Sequence, residues 1–139
     1  MLIESDMIVA YMKKTDRLKE SATRIFDALE EGRLSAQMST EVFHEIYYVF
    51  VEHAPLNVVM GNLAKIASLE NVTYVDATRE IYMSALDLMN NYGITSIFDA
   101  IYAATALTEA VPDNKIVSTD NVYEKIAGLT RIDPREIKI

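Results

Sequence analysis

The chain has 139 residues, of which 50% are hydrophobic and 24% charged, and its formal net charge is −8. This length is enough for one domain and leaves no room for a second complete core. The negative charge disfavours broad, passive binding of nucleic acid, which needs lysines and arginines against the phosphates, although a site that holds divalent ions is compatible with a nuclease.

The composition also bears on the cellular setting. Cysteine is absent, so the chain has no disulfide and no thiolate metal ligand. No apolar run approaches the roughly 18 to 20 residues of a membrane span. The segment MLIESDMIVAYMKK has acids ahead of a short apolar run and no basic leader, unlike a signal peptide. We therefore expect a soluble, cytoplasmic protein that does not associate with membranes.

Predicted strands and helices alternate along the whole chain. In chain order they are a strand over 1–3, a helix over 7–13, a helix from Thr15 or Asp16 to Gly32, a strand over 34–38, a helix from Ser39 or Thr40 to about Glu52, a helix beginning at Pro55, a strand over 72–75, a helix from Asp76 or Thr78 to Gly93, an alanine-rich helix from Ser96, a strand over 115–118, a short helix over 121–127 and a strand over 130–132. Such alternation is typical of a parallel sheet with helices on both faces. The expected fold class is therefore α/β, as one three-layer α/β/α domain over residues 1–139.

Four acidic residues lie where predicted strands end and helices begin. They are Asp6, Glu45, Asp99 and Asp120. In a parallel sheet the carboxyl ends of the strands share one edge, where helices start and ligands bind. Carboxylates that meet there repel one another unless a cation lies between them. The pattern therefore favours a divalent metal ion and metal-dependent phosphoester chemistry.

Several acids near the strand ends also suit a structural role. Asp120 precedes a helix and is a good N-cap residue. Ser96 and Asp99 form an S-x-x-D capping box, but Asp99 lies in a nearly all-apolar helix, where an acid is costly unless it is paired or bound to metal. Glu4 and Asp6 share one strand-to-helix turn, where either could cap the helix or both could bind one ion.

The sequence leaves the environment of Glu45 open. This residue lies between Val42 and Val49 on an apolar stripe. It also aligns with a face that could be solvated, formed by Glu41, Tyr48 and Glu52. Helical spacing alone does not choose between the two.

Histidines and tyrosines give no second candidate site. His44 and His53 lie on one predicted helix and face different directions, so they are not expected to form a ligand pair. The tyrosines are expected in the core and at interfaces rather than as platforms for base stacking; they are Tyr47, Tyr48, Tyr82, Tyr92 and Tyr102.

Four segments, taken in order, are similar to the motifs of one known family. They are IESDMIVAYMKKTD, STEVFHEIYYVF, GITSIFDAIYAATAL and IVSTDNVYEKI. Together they resemble the PIN-domain ribonucleases, including the VapC-like toxins of VapBC toxin–antitoxin pairs, over nearly the whole chain. In this resemblance Glu45, Asp99 and Asp120 take acidic positions, and Ser118 stands for the usual Thr or Ser. The third and fourth segments are fairly specific as a pair in this order.

The first motif departs from the family pattern. Aligned without a gap, the family's first Asp falls on Glu4, Ser5 takes the Thr or Ser place, and Asp6 takes the Asn or Ser place. Either Glu4 replaces the metal-binding Asp with a longer arm, or Asp6 has taken over the role. We favour Asp6, because its shorter side chain lies closer to the start of the helix.

The resemblance implies a nuclease site that holds Mg²⁺ or Mn²⁺ and hydrolyses RNA phosphodiester bonds. Asp6 and Asp99 are the expected direct ligands. Asp120 is expected to contact a second ion or to act through water, and Glu45 to orient the attacking water or to bind that second ion. Ser118 is expected to support the cluster by hydrogen bonding. Mg²⁺ independently prefers oxygen ligands and is usually held by one or two carboxylates together with the phosphates of its substrate.

The resemblance also implies a four- or five-stranded parallel sheet, a homodimer and an antitoxin protein as partner. The alternative function is a PIN-like binding module with weak or no catalysis, which keeps the acid pocket and acts through a protein partner. The Glu4 position and the acidic surface motivate this alternative. A receiver-like phosphoacceptor is disfavoured, because no lysine follows an apolar strand in a suitable place.

Overall fold

The computed structural model describes residues 1–139, which form five strands and six α-helices. In chain order these are β1 (Leu2–Ile3), α1 (Ser5–Met12), α2 (Lys19–Glu30), β2 (Ala36–Ser39), α3 (Glu41–Phe50), α4 (Leu56–Ala67), β3 (Val72–Val75), α5 (Arg79–Tyr92), α6 (Ile97–Ala106), β4 (Lys115–Val117) and β5 (Thr130–Ile132). Two short 3₁₀ helices, Asn121–Lys125 and Pro134–Glu136, follow β4 and β5. The expected α/β class is confirmed.

The five strands form one parallel sheet in the order β3-β2-β1-β4-β5. Its central strand is the very short β1, where Leu2 pairs with Gln37 of β2 and with Ile116 of β4, and Ile3 pairs with Val117. Neither residue of β1 is exposed to solvent. Parallel strands at the centre of such a sheet are apolar because helices cover both faces.

Six helices flank the sheet and close one continuous hydrophobic core. The alanine-rich α6 is the most central of them, since it contacts β1, β2 and β4 and buries every residue from Ala100 to Ala106. Alanine side chains permit this close approach because they are small. The first turn of α6 is therefore held close to the middle of the sheet.

Several helix starts differ from the sequence-based prediction. α1 begins at Ser5 rather than Met7, so Glu4 is its N-cap residue and Asp6 lies in its first turn. α2 begins at Lys19 rather than near Asp16, whose Oδ1 accepts a hydrogen bond from the Leu18 N–H at 2.9 Å and so stabilises a turn ahead of the helix.

The starts of α5 and α6 agree with the prediction. Thr78 and Ser96 are their N-cap residues, and each side chain accepts a hydrogen bond from the backbone N–H three residues later. The predicted stop at Gly93 is also observed, with φ of 65°, a left-handed conformation that glycine adopts without steric cost. No helix has both the length and the apolar character needed to span a bilayer.

Candidate metal centre

The acids identified in the sequence come together at one edge of the sheet. Glu4 and Asp6 follow β1, Glu45 lies in the second turn of α3 after β2, and Asp120 follows β4. Because β1 lies between β2 and β4, these segments end side by side. Asp99 joins them from the first turn of α6. Five carboxylates thus share a small region at the C-terminal edge of the central strands.

Glu4 is the most deeply buried of these acids, with 4% of its surface exposed. The Tyr123 hydroxyl donates a hydrogen bond to its Oε2 at 2.7 Å. Burial raises the pKa of Glu4 well above its ordinary value, and repulsion from Asp6 adds to this rise. Hydrogen bonding from Ser118 and Tyr123 lowers the pKa and offsets part of the effect. The Glu4 carboxyl is therefore already engaged by protein donors.

Asp6 lacks such a donor at one of its oxygens. Its Oδ1 is buried and has no hydrogen-bond partner in the structure. Burial raises the pKa of Asp6 to about 6, and repulsion from Glu45 acts in the same direction. Glu4 and the backbone N–H groups of Met7 and Thr119 act in the opposite direction. A buried carboxylate oxygen without a partner is rare in native proteins and calls for a ligand, such as a cation, that is not part of the chain.

Asp99 joins the cluster from the first turn of α6. Its backbone N–H donates to Ser96 Oγ at 3.3 Å, so the capping role predicted for Ser96 is observed. Burial raises the pKa of the Asp99 carboxyl to about 6, and repulsion from Asp120 and then Glu45 adds to the rise. The Tyr123 hydroxyl lies 3.5 Å from Asp99 Oδ1. Asp99 is thus coupled electrostatically to acids of two other segments.

Glu45 faces the acid cluster. Helical spacing had left open whether this residue lies on the apolar stripe or on a solvated face of its helix. The Tyr102 hydroxyl of α6 donates to Glu45 Oε2 at 2.5 Å. The neighbouring Glu41 is not solvated either, because it is 7% exposed and accepts a hydrogen bond from Tyr82. Glu41 and Glu45 therefore face the protein, whereas Tyr48, on the same stripe, is 62% exposed.

Asp120 keeps the capping role that its position predicts. Its Oδ1 accepts from the Val122 N–H at 2.8 Å, and the residue is exposed. Its own N–H donates to Ser118 Oγ at 2.9 Å, and Ser118 is fully buried. Ser118 thus supports the Asp120 turn, and its side chain is also close enough to Glu4 to lower the pKa of that carboxyl.

Tyr102 and Tyr123 are the residues that the sequence analysis missed. Tyr102 was expected only as a core residue, and Tyr123 was not singled out. Both are fully buried, yet each directs its hydroxyl to a carboxylate of the cluster. The available signal was a shared spacing, since each tyrosine follows an acid of the cluster, Asp99 or Asp120, by three residues. A tyrosine one turn after an acid projects from the same side of its segment.

The donor set suits a hard divalent ion. All candidate ligands are carboxylate oxygens, which Mg²⁺ and Mn²⁺ prefer. No lysine or arginine is among the main influences on the pKa values of Glu4, Asp6 or Asp99. No group of three or more acidic or histidine side chains is arranged to hold a metal ion. The cluster is therefore compatible with a site in which one or two carboxylates, together with water, bind the metal ion.

Comparison with known proteins identifies the family. The family model for the PIN domain matches residues 1–129. The chain belongs to the PIN-domain family. Nucleases of this family generally use divalent metal ions. No curated protein sequence matches the chain.

Three solved structures share the PIN-domain fold with this chain. VapC20 of Mycobacterium tuberculosis, a toxin that cleaves the sarcin–ricin loop, has a TM-score of 0.72 at 14% identity, with 93% of this chain and 95% of that chain covered. VapBC2 of Rickettsia felis, bound to a DNA fragment from its promoter, has a TM-score of 0.69 at 16% identity, with coverage of 94% and 96%. A toxin–antitoxin complex from Klebsiella pneumoniae has a TM-score of 0.65 at 16% identity, with 98% of both chains covered.

Proposed function

We propose that this PIN-domain protein is a metal-dependent endoribonuclease and the toxin of a toxin–antitoxin pair. The observation that carries the proposal is the buried, unpartnered Oδ1 of Asp6 within a cluster of five carboxylates. Such a cluster destabilises the fold unless a cation is bound there, so its presence is best explained by function. Family membership and the fold shared with VapC20 favour RNA as the substrate.

Asp6 and Asp99 are the proposed direct ligands of Mg²⁺ or Mn²⁺, with Glu4 as the competitor for the first position. Asp6 is favoured because its Oδ1 has no protein donor, whereas Glu4 Oε2 accepts a hydrogen bond from the Tyr123 hydroxyl. Asp120 is exposed at the rim and is proposed to bind a second ion or to act through water. When bound, the metal would make water a better nucleophile and neutralise charge on the phosphoryl oxygens.

Glu45 is the residue proposed to act on the attacking water. Its Oε2 accepts the Tyr102 hydroxyl, which fixes the orientation of the carboxylate. The second oxygen is then available to accept a proton from water at the centre of the cluster. Tyr102 and Tyr123 are positioning residues, since each contacts a carboxylate rather than the reacting atoms.

Replacement of Asp99 by Asn tests the nuclease assignment. Asp99→Asn keeps the size of the side chain and removes the charge, so we expect cleavage of RNA to fall at least about a hundredfold while the fold is retained. The matched control is Asp87→Asn, which makes the same change at an exposed position on α5. Cleavage is measured on one RNA with Mn²⁺, and folding is checked by circular dichroism. An unchanged rate in folded Asp99→Asn protein would refute the assignment.

A catalytically weak binding module is the second candidate, and the environment of Glu4 is the observation that favours it. A buried glutamate occupies the place where the resemblance expects the first metal-binding Asp, and its carboxyl accepts a hydrogen bond from Tyr123. In a module without a functional metal site, Mn²⁺ would leave the thermal stability unchanged.

An antitoxin partner and a homodimer complete the proposal. The R. felis and K. pneumoniae structures are described as toxin–antitoxin assemblies, and they share this fold. Large apolar side chains are also exposed on α5, where Met83 is 57% and Leu86 is 50% exposed. The mass in solution, alone and with the product of a neighbouring reading frame, measures both associations.

A further inference from the structure

An acidic protein that cleaves RNA needs a local source of positive charge. The net charge is −8, and the proposed site adds five carboxylates at one edge. RNA phosphates would be repelled there unless cations of the chain meet them, because binding of single strands depends on neutralisation of phosphates. The question is which lysine or arginine lies near the site and is free to do so.

Most arginines of the chain are already engaged by acidic side chains or carbonyl groups. Arg131 donates to Ser118 O at 3.0 Å, close to the cluster, but it is also paired with Glu124. Arg79 is paired with Glu80, and Arg135 with Asp133; Arg33 is paired with Glu31, and Arg24 donates to the carbonyl of Pro134.

The loop between α1 and α2 is different, because it carries three cations without an acidic partner. Lys13, Lys14 and Arg17 are all exposed, and none of them forms an ion pair. The acid in this loop, Asp16, instead accepts the Leu18 N–H at 2.9 Å. The loop is therefore a small basic region on a chain that is otherwise acidic.

Arg17 is hydrogen bonded to the segment that carries Asp120. Its Nη2 donates to Thr119 Oγ1 at 3.1 Å, which joins the loop to the segment after β4. Thr119 lies between Ser118 and Asp120, and its backbone N–H is close enough to Asp6 to lower the pKa of that carboxyl. The guanidinium thus contacts the residue between Ser118 and Asp120. Its remaining N–H groups make no hydrogen bond to the protein.

We propose that Arg17 binds a phosphate of the RNA beside the scissile bond, and that Lys13 and Lys14 extend this contact along the strand. The inference rests on the proposed nuclease function and names a substrate-binding residue for it. A guanidinium presents a planar set of donors that matches phosphate oxygens, and the bond to Thr119 orients it beforehand. The loop thereby supplies positive charge beside the segment that carries Asp120.

The test measures binding of RNA without cleavage. A labelled single-stranded RNA oligonucleotide is titrated with Asp99→Asn protein and with the same protein carrying Arg17→Ala, by fluorescence anisotropy over a series of KCl concentrations. We expect Arg17→Ala to weaken binding about tenfold at low salt, the size of one charge-assisted hydrogen bond. We also expect the slope of log K against log salt to fall by about 0.7, the value for one phosphate contact to a single strand.

Three further variants separate substrate binding from a structural role. Arg33→Ala removes the same charge before β2, at the opposite edge of the sheet, and should leave both affinity and slope unchanged. Arg17→Lys keeps the charge but not the planar donors, so it should retain the slope and lose only part of the affinity. Thr119→Val removes the hydrogen bond to Arg17 and keeps the charge. It should therefore weaken RNA binding less than Arg17→Ala does, and leave the salt slope as in the protein with Arg17 and Thr119 intact.

The outcomes also distinguish this inference from the proposed function. If the Asp99→Asn protein binds RNA and Arg17→Ala binds it with the same affinity and slope, the role of Arg17 is refuted while the nuclease proposal stands. Equal losses in Arg17→Ala and Thr119→Val at an unchanged slope would mean that the bond is structural only, and would also overturn the inference. Failure of the wild-type chain to cleave RNA overturns both.

Discussion

At the scale of single residues, Asp6 carries most of the proposed chemistry. Its Oδ1 is buried and has no hydrogen-bond donor. Glu4 and Glu45 instead each accept a hydrogen bond from a tyrosine hydroxyl, that of Tyr123 and that of Tyr102 respectively. A cation bound at the free oxygen would replace the missing hydrogen bond and stabilise the charge at the same time. Glu4 and Glu45 are therefore stabilised by hydrogen bonds from the protein, whereas Asp6 has an oxygen that is free to bind a ligand.

We expect the substitutions Asp6→Asn and Glu4→Gln to have unequal effects. Asp6→Asn removes charge from a proposed ligand, and RNA cleavage should fall at least about a hundredfold. Glu4→Gln keeps an acceptor for Tyr123, and the loss should stay near tenfold, as for residues that support a metal ligand. The measurement is kcat/KM on one RNA at fixed Mn²⁺, with melting curves to verify folding.

The conservative variant Glu4→Asp is the control for this pair. It places the family's Asp at the position where the chain departs from the pattern. Two results would make Glu4 rather than Asp6 the first metal ligand. One is a higher activity in Glu4→Asp, and the other is a larger loss of activity in Glu4→Gln than in Asp6→Asn.

At the scale of elements, the start of α6 couples stability to the site. Ser96 Oγ accepts the Asp99 N–H, so the cap holds the turn that carries a proposed ligand. The same chemistry occurs at the start of α5, where Thr78 Oγ1 accepts the Ile81 N–H at 3.3 Å. No residue of the acid cluster lies in that turn. The two caps therefore form a natural pair for comparison.

We expect Ser96→Ala and Thr78→Ala to lose similar stability but different amounts of activity. Removal of either N-cap costs about 1 kcal/mol of unfolding free energy. Only Ser96→Ala loosens the turn that positions Asp99, so only this variant should lower kcat, by several-fold or more. Urea unfolding and cleavage rates measure the two effects, and Ser96→Thr, which restores the acceptor, should recover both. Equal activity in the two alanine variants would show that the cap is not needed to position Asp99.

The sequence predicts elements well where the signal is local. β3 and β5 are observed at their predicted bounds, because β-branched residues mark them. Ser96 is the N-cap residue of α6 as predicted, because the S-x-x-D motif is contained in four residues. The direction of Glu45 was not predictable, since it depends on the hydroxyl of Tyr102, 57 positions later. The contact of Tyr123 with Glu4 joins residues 119 positions apart. Local patterns identify acids at strand ends, but only tertiary structure identifies the donors that hold them.

At the scale of the whole molecule, the acid cluster makes stability depend on both pH and metal. The pKa values of Asp6 and Asp99 in the folded protein, about 6, lie above the ordinary value of 3.8. Between these values the folded state binds more protons than the unfolded state, so stability falls as pH rises through the window from about 4 to 6. Above that window, the full penalty of the charged cluster is present.

We therefore expect Mn²⁺ to stabilise the protein, and to do so more strongly at pH 7.5 than at pH 5. Metal ions compete with protons for the carboxylates, so affinity rises as Asp6 and Asp99 lose their protons. At a hundredfold excess over the dissociation constant the gain is about 2.7 kcal/mol, or on the order of 5 to 10 °C in Tm for a chain of this size. Thermal melts with and without Mn²⁺ at the two pH values measure it.

Asp6→Asn is the informative variant for this experiment. It should melt at a higher temperature than the wild type in the absence of metal at pH 7.5, because a buried charge is removed, and it should gain little from Mn²⁺. A wild-type Tm that is unaffected by Mn²⁺ at both pH values would favour the binding module over the nuclease.

The short central strand has a consequence for the timing of assembly during synthesis. β1 is made first, yet β4, one of its two neighbours in the sheet, is made more than a hundred residues later. A nascent chain that ends before α6 contains Glu4, Asp6 and Glu45, but it lacks both Asp99 and the Tyr123 hydroxyl that donates to Glu4. The ribosome therefore translates almost the entire chain before the acids can meet. The proposed active site is therefore completed only when synthesis of the chain is nearly finished.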